Sequence, residues 1–198
     1  ALTEDLSPMG DVTTRAVIKP GTRYTAKLNA REDGVVSGMQ IAAMAFRLVD
    51  PALKVHAVVS DGSPCKKGET LMQIEGEAAS ILMGERVALN FAGRLSGIAT
   101  KTAGFVSKTK GTKCKITCTR KTTPGLRAVE KLAVQHGGGS NHRYGLSDAI
   151  LIKDNHIAAA GVVLQVLSSA KAAPSHMMRI ELEVDNLRQM AEALKVGG

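Results

Sequence analysis

The sequence predicts an α/β protein in two parts, an α+β domain followed by a domain of βα repeats. Two observations carry this reading. Residues 113–157 hold two short apolar runs, 115–119 and 149–152, with a helical pattern between them at Leu126, Val129, Leu132 and Ala133. Strand, helix, strand is a βαβ unit, and such a unit needs a parallel sheet. Upstream of it, short strand-like runs surround one amphipathic stretch, which suits a separate α+β domain.

In chain order, residues 1–20 read as irregular, with Gly10-Asp11-Val12-Thr13-Thr14 a turn and cap sequence. Residues 23–30 alternate weakly, and Asp33-Gly34 marks a turn before Val35 and Val36. Residues 39–49 predict a helix, with Met39, Ala42, Ala43, Phe46 and Val49 on one face. Strands follow at 55–60 and 70–74. Residues 78–90 predict a helix that Gly93, Ser96 and Gly97 interrupt, with helical pattern resuming over 98–107. The domain boundary is placed there, giving domains of 1–95 and 96–198. Pro124 stands just before the helix of the βαβ unit and Gly137-Gly138-Gly139 just after it, the usual order of start and stop signals. A helix over 162–171, a strand over 178–184 and a helix over 187–196 complete the pattern, with Asp185 as the last helix's N-cap. Three βα repeats cannot close a barrel of about eight strands, so the chain is expected to stop inside its second domain.

Composition narrows the function. The chain has 198 residues, 44% of them hydrophobic, which suits a real core. No apolar run is long enough to span a membrane. The first residues, Ala1-Leu2-Thr3-Glu4-Asp5-Leu6, lack the features of a signal peptide. Cys65, Cys114 and Cys118 are odd in number and form no CxxC pair, so a reducing cytoplasm is expected. The net charge of +8 invites nucleic-acid binding, but an aromatic content of 3% leaves little for base stacking. A basic enzyme acting on polyanionic small molecules explains the charge as well.

Parallel strands present their working residues where their C-terminal ends emerge. Here those ends carry Arg120, Lys121 and Lys153, and the return loop adds His142 and Arg143. Five groups that are or can become cationic are therefore expected on one rim, to hold a ligand with several negative charges.

The residues at this rim carry a resemblance. Thr119-Arg120-Lys121-Thr122 with Pro124-Gly125-Leu126-Arg127, Gly138-Gly139 with Asn141-His142-Arg143, and Leu151-Ile152-Lys153-Asp154-Asn155-His156 are similar to quinolinate phosphoribosyltransferases. So are Gly10-Asp11-Val12-Thr13-Thr14, Glu85-Arg86 with Asn90, and Leu95-Ser96-Gly97-Ile98-Ala99-Thr100. The resemblance covers the whole chain, in the family's order. It implies an N-terminal α/β sandwich followed by an incomplete α/β barrel, assembled as a homodimer or a hexamer of dimers. It implies transfer of a phosphoribosyl group from phosphoribosyl pyrophosphate to quinolinate, with Mg2+ assisting and pyrophosphate and carbon dioxide leaving. The product is nicotinate mononucleotide, for NAD biosynthesis.

By this resemblance Arg86, Thr119, Arg120, Lys121, His142, Arg143 and Lys153 surround quinolinate, whose two carboxylates suit guanidinium forks. Glu183 faces the ribose and stabilises charge building on its anomeric carbon, with Glu181 the competing assignment. Lys153 stabilises the charge left by decarboxylation. Arg86 acts in trans, capping the partner subunit's barrel. In the family the metal-facing aspartate and the phosphate loops lie past residue 198, so no metal ligand is assigned here.

Blander readings stand beside these. Gly137 to Gly139 serve as a helix stop, and His136 caps the helix end. His56 and His176 are structural or exposed, while His156 is either a ligand contact or a support behind one. Cys114 and Cys118 are small core residues. Rival functions are a phosphoribosyltransferase using nicotinate and a molybdate-operon relative. A carrier-like binding module is the rival of another class. Residues 54–75 loosely resemble a carrier sandwich but lack a lysine at an exposed hairpin tip.

Overall fold

The computed structural model describes residues 1–172 and 177–196, which fall into two compact units that divide between His142 and Arg143. His176 and the closing Gly197-Gly198 lie outside the described residues.

The first unit opens with two short helices, α1 (Leu2–Leu6) and α2 (Val12–Val17), where the sequence reads as irregular. The cap at Asp11 accounts for α2: its carboxylate accepts the Thr14 N–H at 2.9 Å and the Thr14 hydroxyl. Strands β1 (Arg23–Asn29), β3 (Lys54–Ala57) and β5 (Thr70–Glu77) form an antiparallel sheet in the order β1-β5-β3. β2 (Gly34–Val35) and β4 (Pro64–Cys65) make a second, two-stranded ladder. Helix α3 spans Met39–Val49 as its periodicity predicts, and buries Met39, Ala42, Ala43 and Phe46 against β5 residues Met72 and Ile74. Burial of each large side chain there is worth about 1.5–3 kcal/mol.

The interruption expected at Gly93 to Gly97 is absent. One helix of 31 residues, α4 (Ala78–Lys108), runs straight through it. Each glycine costs a helix about 1 kcal/mol, but Ala92, Leu95 and Ala99 are buried around them and repay it. Gly84, earlier in α4, lets α3 approach: a Cβ there would stand 2.8 Å from the Phe46 ring.

The predicted strand over 115–119 reduces to a single parallel bridge between Thr117 and Ser140. Helix α5 (Arg127–His136) links the two bridge residues, so the βαβ connection exists with Ser140 as its return, in place of residues 149–152. The glycine run is the reason. Chain leaving α5 turns at Gly138 (φ 82°) and comes back beside Thr117 at once. Gly137 also packs where no side chain fits: a Cβ would lie 2.4 Å from the Ala99 carbonyl oxygen and 2.6 Å from the Thr102 Cβ. His136 does not cap α5; its Nδ1 meets the Ser37 hydroxyl at 2.7 Å.

In the second unit, β6 (Ile150–Ile152) and β7 (Ile180–Leu182) pair in parallel, joined through α6 (Asp154–Ala160) and α7 (Val163–Lys171). Helix α8 (Leu187–Val196) follows β7. Ile152, Ile157, Val163 and Leu167 make its small core. α6 is not foreseen by the sequence reading, which ends a strand at Lys153 to His156. The α8 cap is also displaced by one residue: Asn186 Oδ1, not Asp185, accepts the Gln189 N–H at 3.0 Å. Two parallel strands leave an open α/β arrangement, in keeping with an incomplete barrel. No helix among the described residues is long and apolar enough to cross a membrane.

Gly137→Ala should destabilise the first unit by about 1–3 kcal/mol through overpacking against backbone. Gly137 has φ −79°, which alanine adopts freely, so strain in the turn is not involved. The shift of the urea midpoint measures this cost, and an unchanged midpoint would contradict the close approach.

Candidate functional site

The site residues fall into two groups, one in each unit. In the first unit, Thr119, Arg120 and Lys121 follow the Thr117 bridge, and His142 follows Ser140, so both segments leave the bridge on the same side. Cys118 N–H donates to the Ser140 carbonyl at 3.1 Å, and His142 N–H donates to the Cys118 sulfur at 3.3 Å. The tract is held in a tight turn. Lys121 N–H donates to Thr119 Oγ1 at 3.0 Å, and Thr122 N–H to the Arg120 carbonyl at 3.0 Å. Arg127 Nε donates to Thr122 Oγ1 at 3.1 Å. Lys121 is exposed. Arg120 is half-buried, and its buried Nε has no hydrogen-bond partner among the described residues.

Three charged residues behind this tract escape the sequence reading. Glu130 and Lys131, on α5, are 7% and 3% exposed, while Leu132, expected on the buried face, is 42% exposed. Arg94 on α4 donates to Glu130 Oε1 through Nε at 2.8 Å and Nη2 at 2.5 Å, and also reaches the Thr123 hydroxyl. Thr123 N–H donates to Glu130 Oε2 at 3.2 Å. Burial alone would raise the Glu130 carboxyl; the hydrogen bonds from Arg94 and Thr123, with the Arg94 charge, outweigh it and hold the group below its ordinary value. Lys131 Nζ donates to the Cys118 sulfur at 2.9 Å and to the His142 carbonyl at 3.1 Å. Adjacent charges on one helix therefore clasp both segments that carry the basic residues. Cys118 is no inert core residue, and Cys114 is exposed. The only trace of this in the sequence is a Glu-Lys pair flanked by apolar residues.

Arg86 stands exposed on α4.

In the second unit, strand register places two residues side by side. Leu151 pairs with Glu181 and Ile152 with Leu182, so Lys153 comes level with Glu183. Lys153 Nζ lies 3.0 Å from Glu183 Oε1 and 3.2 Å from Oε2. Of the two competing glutamates, Glu183 is the one beside Lys153. Their side chains are 40% and 52% exposed, so the pair is worth at most about 1 kcal/mol and is readily exchanged for a ligand. Lys153 is also the N-cap residue of α6, and its N–H donates to His156 Nδ1 at 2.9 Å, which gives His156 a supporting role. Arg143 Nη1 donates to the Ala149 carbonyl at 3.2 Å, and its buried Nε has no hydrogen-bond partner among the described residues. The loop between them is closed by Asp148, which accepts the Tyr144 and Gly145 N–H groups at 2.6 and 2.8 Å. The Gly145 and Tyr144 N–H groups, with help from the Arg143 charge, keep the Asp148 carboxyl below its usual value.

Each unit thus offers guanidinium and ammonium groups to an anion. Arg120 and Arg143 each retain an Nε donor that a carboxylate could fill. No three His, Cys, Asp or Glu residues gather into a metal cluster among the described residues.

The lowered Glu130 carboxyl links stability to pH. Its stabilisation is fully present above its unfolded value, about pH 4.3, and is lost as pH falls through the lower folded value. Glu130→Gln should therefore be less stable than wild type near neutrality. It should also show a shallower loss of stability below about pH 4.3. Urea midpoints followed against pH check this; parallel acid limbs would remove Glu130 from that role.

Comparison with known proteins agrees over the whole chain. Residues 11–96 match the family model of the quinolinate phosphoribosyl transferase N-terminal domain, and residues 98–198 that of its C-terminal domain. A probable nicotinate-nucleotide pyrophosphorylase (carboxylating) of Bacillus subtilis is 43% identical over 95% of this chain and 65% of its own length. The nicotinate-nucleotide pyrophosphorylase (carboxylating) of Mycobacterium leprae is 43% identical over 96% of this chain and 67% of its own. Among solved structures, NadC of Streptococcus pyogenes superposes with a TM-score of 0.92 at 40% identity, covering 98% of this chain and 70% of that one. The chain spans between about half and two thirds of the length of the curated relatives it matches. With the two domain models matched in order over residues 11–96 and 98–198, the chain belongs to the quinolinate phosphoribosyltransferase family.

Proposed function

We propose that this chain carries the quinolinate-binding part of an enzyme that makes nicotinate mononucleotide from quinolinate and phosphoribosyl pyrophosphate. Carbon dioxide and pyrophosphate are released, and the reaction serves NAD biosynthesis. The observation that supports this most is that the buried guanidinium Nε donors of Arg120 and Arg143 each lack a hydrogen-bond partner among the described residues. A buried donor left unmade costs about 1–3 kcal/mol. A carboxylate relieves that cost at either donor, and planar guanidinium forks match its geometry. In the first unit Lys121, His142 and Thr119 accompany Arg120, and in the second Lys153 accompanies Arg143.

In this reading Glu183 turns from Lys153 towards the ribose and stabilises positive charge building at the anomeric carbon. Lys153, released from that ion pair, faces the ring carbon that loses carbon dioxide. The ring nitrogen is the nucleophile, so no side chain needs to form a covalent intermediate. Mg2+ belongs to the proposed reaction as counter-ion of the pyrophosphate. The described residues gather no ligand set for it, and no step here is routed through it. The reading also includes a cytoplasmic homodimer in which the exposed Arg86 completes the partner's site.

Quinolinate should bind this chain more tightly than nicotinate, by about 1.5–3 kcal/mol for each charge-assisted pair that the second carboxylate adds. Calorimetric titration of both acids is the measurement, and equal affinities would overturn the reading. The shared site has its own test, in the enzyme at its complete length. Arg86→Ala and Lys153→Ala are each expected to be inactive. A mixed dimer would hold one site with both lesions and one with neither. Mixing after dissociation should then restore activity; demonstrated subunit exchange with no activity would assign Arg86 to its own subunit.

A further inference from the structure

The Cys118 and Lys131 pair is used by no step above, yet it juxtaposes a nucleophilic sulfur and a primary amine inside one compact unit. Lys131 is 3% exposed, an unusual depth for a lysine, and its Nζ stands 2.9 Å from the Cys118 sulfur. The His142 carbonyl accepts from the same amine at 3.1 Å. The sulfur is fixed as well, by the His142 N–H and by the Asn141 amide oxygen, each at 3.3 Å. Access is available: Cys118 is half-buried and lines a cavity of about 560 Å3 shared with Gly93, Gly97, Lys101 and Phe105. Every cysteine is a free thiol. Cys114 is exposed and Cys65 buried.

We propose that Cys118 and Lys131 form a covalent sulfur–nitrogen bridge when a peroxide reaches this cavity. In the first step the Cys118 sulfur attacks the peroxide. A sulfur–oxygen bond forms, the oxygen–oxygen bond breaks, and one water leaves. Sulfur gives up two electrons and the peroxide takes them, leaving a sulfenic acid. In the second step Lys131, as the free amine, attacks that sulfur. The sulfur–oxygen bond breaks, and the departing hydroxide takes the nitrogen's proton to leave as a second water. This is the condensation of sulfenic acid with nitrogen that yields a sulfenamide, here with a side-chain amine as the nitrogen. A thiol reductant reverses it by attacking sulfur and freeing both residues. The bridge would tie α5 to the residue just before Thr119, Arg120 and Lys121.

The test uses the full chain carrying Cys65→Ser and Cys114→Ser, in which no disulfide can form within the molecule. Limiting hydrogen peroxide should give an intact mass lower by two hydrogen atoms, restored by dithiothreitol. Tryptic digestion should skip cleavage at Lys131 and yield one linked peptide holding Cys118 and Lys131. With Lys131→Met, the linked species should vanish and a sulfenic acid trappable by dimedone should accumulate instead. If that variant does not fold, the peptide map of the Lys131-bearing protein decides alone. Cys118 recovered only as free sulfenic or sulfinic acid, with trypsin cutting normally at Lys131, would overturn the proposal.

Discussion

The seating of α5 on α4 is the constraint on which the first unit's chemistry depends. It is secured at two places of different character. At the C-terminal end of α5, Gly137 lies against the Ala99 carbonyl and the Thr102 side chain, too close for any Cβ. Further along, the Arg94 guanidinium reaches the nearly buried Glu130 carboxylate and the Thr123 hydroxyl. Close backbone contact fixes distance, and the forked ion pair fixes rotation about the helix axis. With both set, Lys131 has one direction left, towards Cys118 and His142. The tract bearing Arg120 and Lys121 therefore inherits its position from a helix interface that contains neither.

Local signals in the sequence were strong enough for most elements. The α3 periodicity gave its limits, and those of α8 likewise, because apolar spacing and flanking turn residues agreed. What failed depended on contacts distant in sequence. Gly93 and Gly97 look like a break in the helix, but the burial of Ala92, Leu95 and Ala99 around them keeps α4 whole. The return strand was misplaced because residues 149–152 are the more apolar run, while Ser140 needs only two backbone hydrogen bonds to Thr117's neighbours.

The candidate site was legible in its charged tips and illegible in its supports. Arg120, Lys121, His142, Arg143 and Lys153 stand out as candidates because they are five together; any one of them alone would read as a solvated charge. Glu130 and Lys131 could not, since a Glu-Lys pair on a helix ordinarily faces water, and only the fold reveals that both face inward. The β6–β7 register sets Glu183, rather than Glu181, level with Lys153.

The bond from the Lys153 N–H to His156 Nδ1 carries a consequence of its own. A ring nitrogen that accepts a hydrogen bond holds no proton, so a neutral His156 must be the Nε2–H tautomer. Its exposed edge is then a donor, directed away from the helix it caps. The opposite tautomer would set an N–H against the Lys153 N–H, so the backbone geometry dictates which ring nitrogen carries the hydrogen. The ring thereby tethers the backbone of the residue whose ammonium faces Glu183.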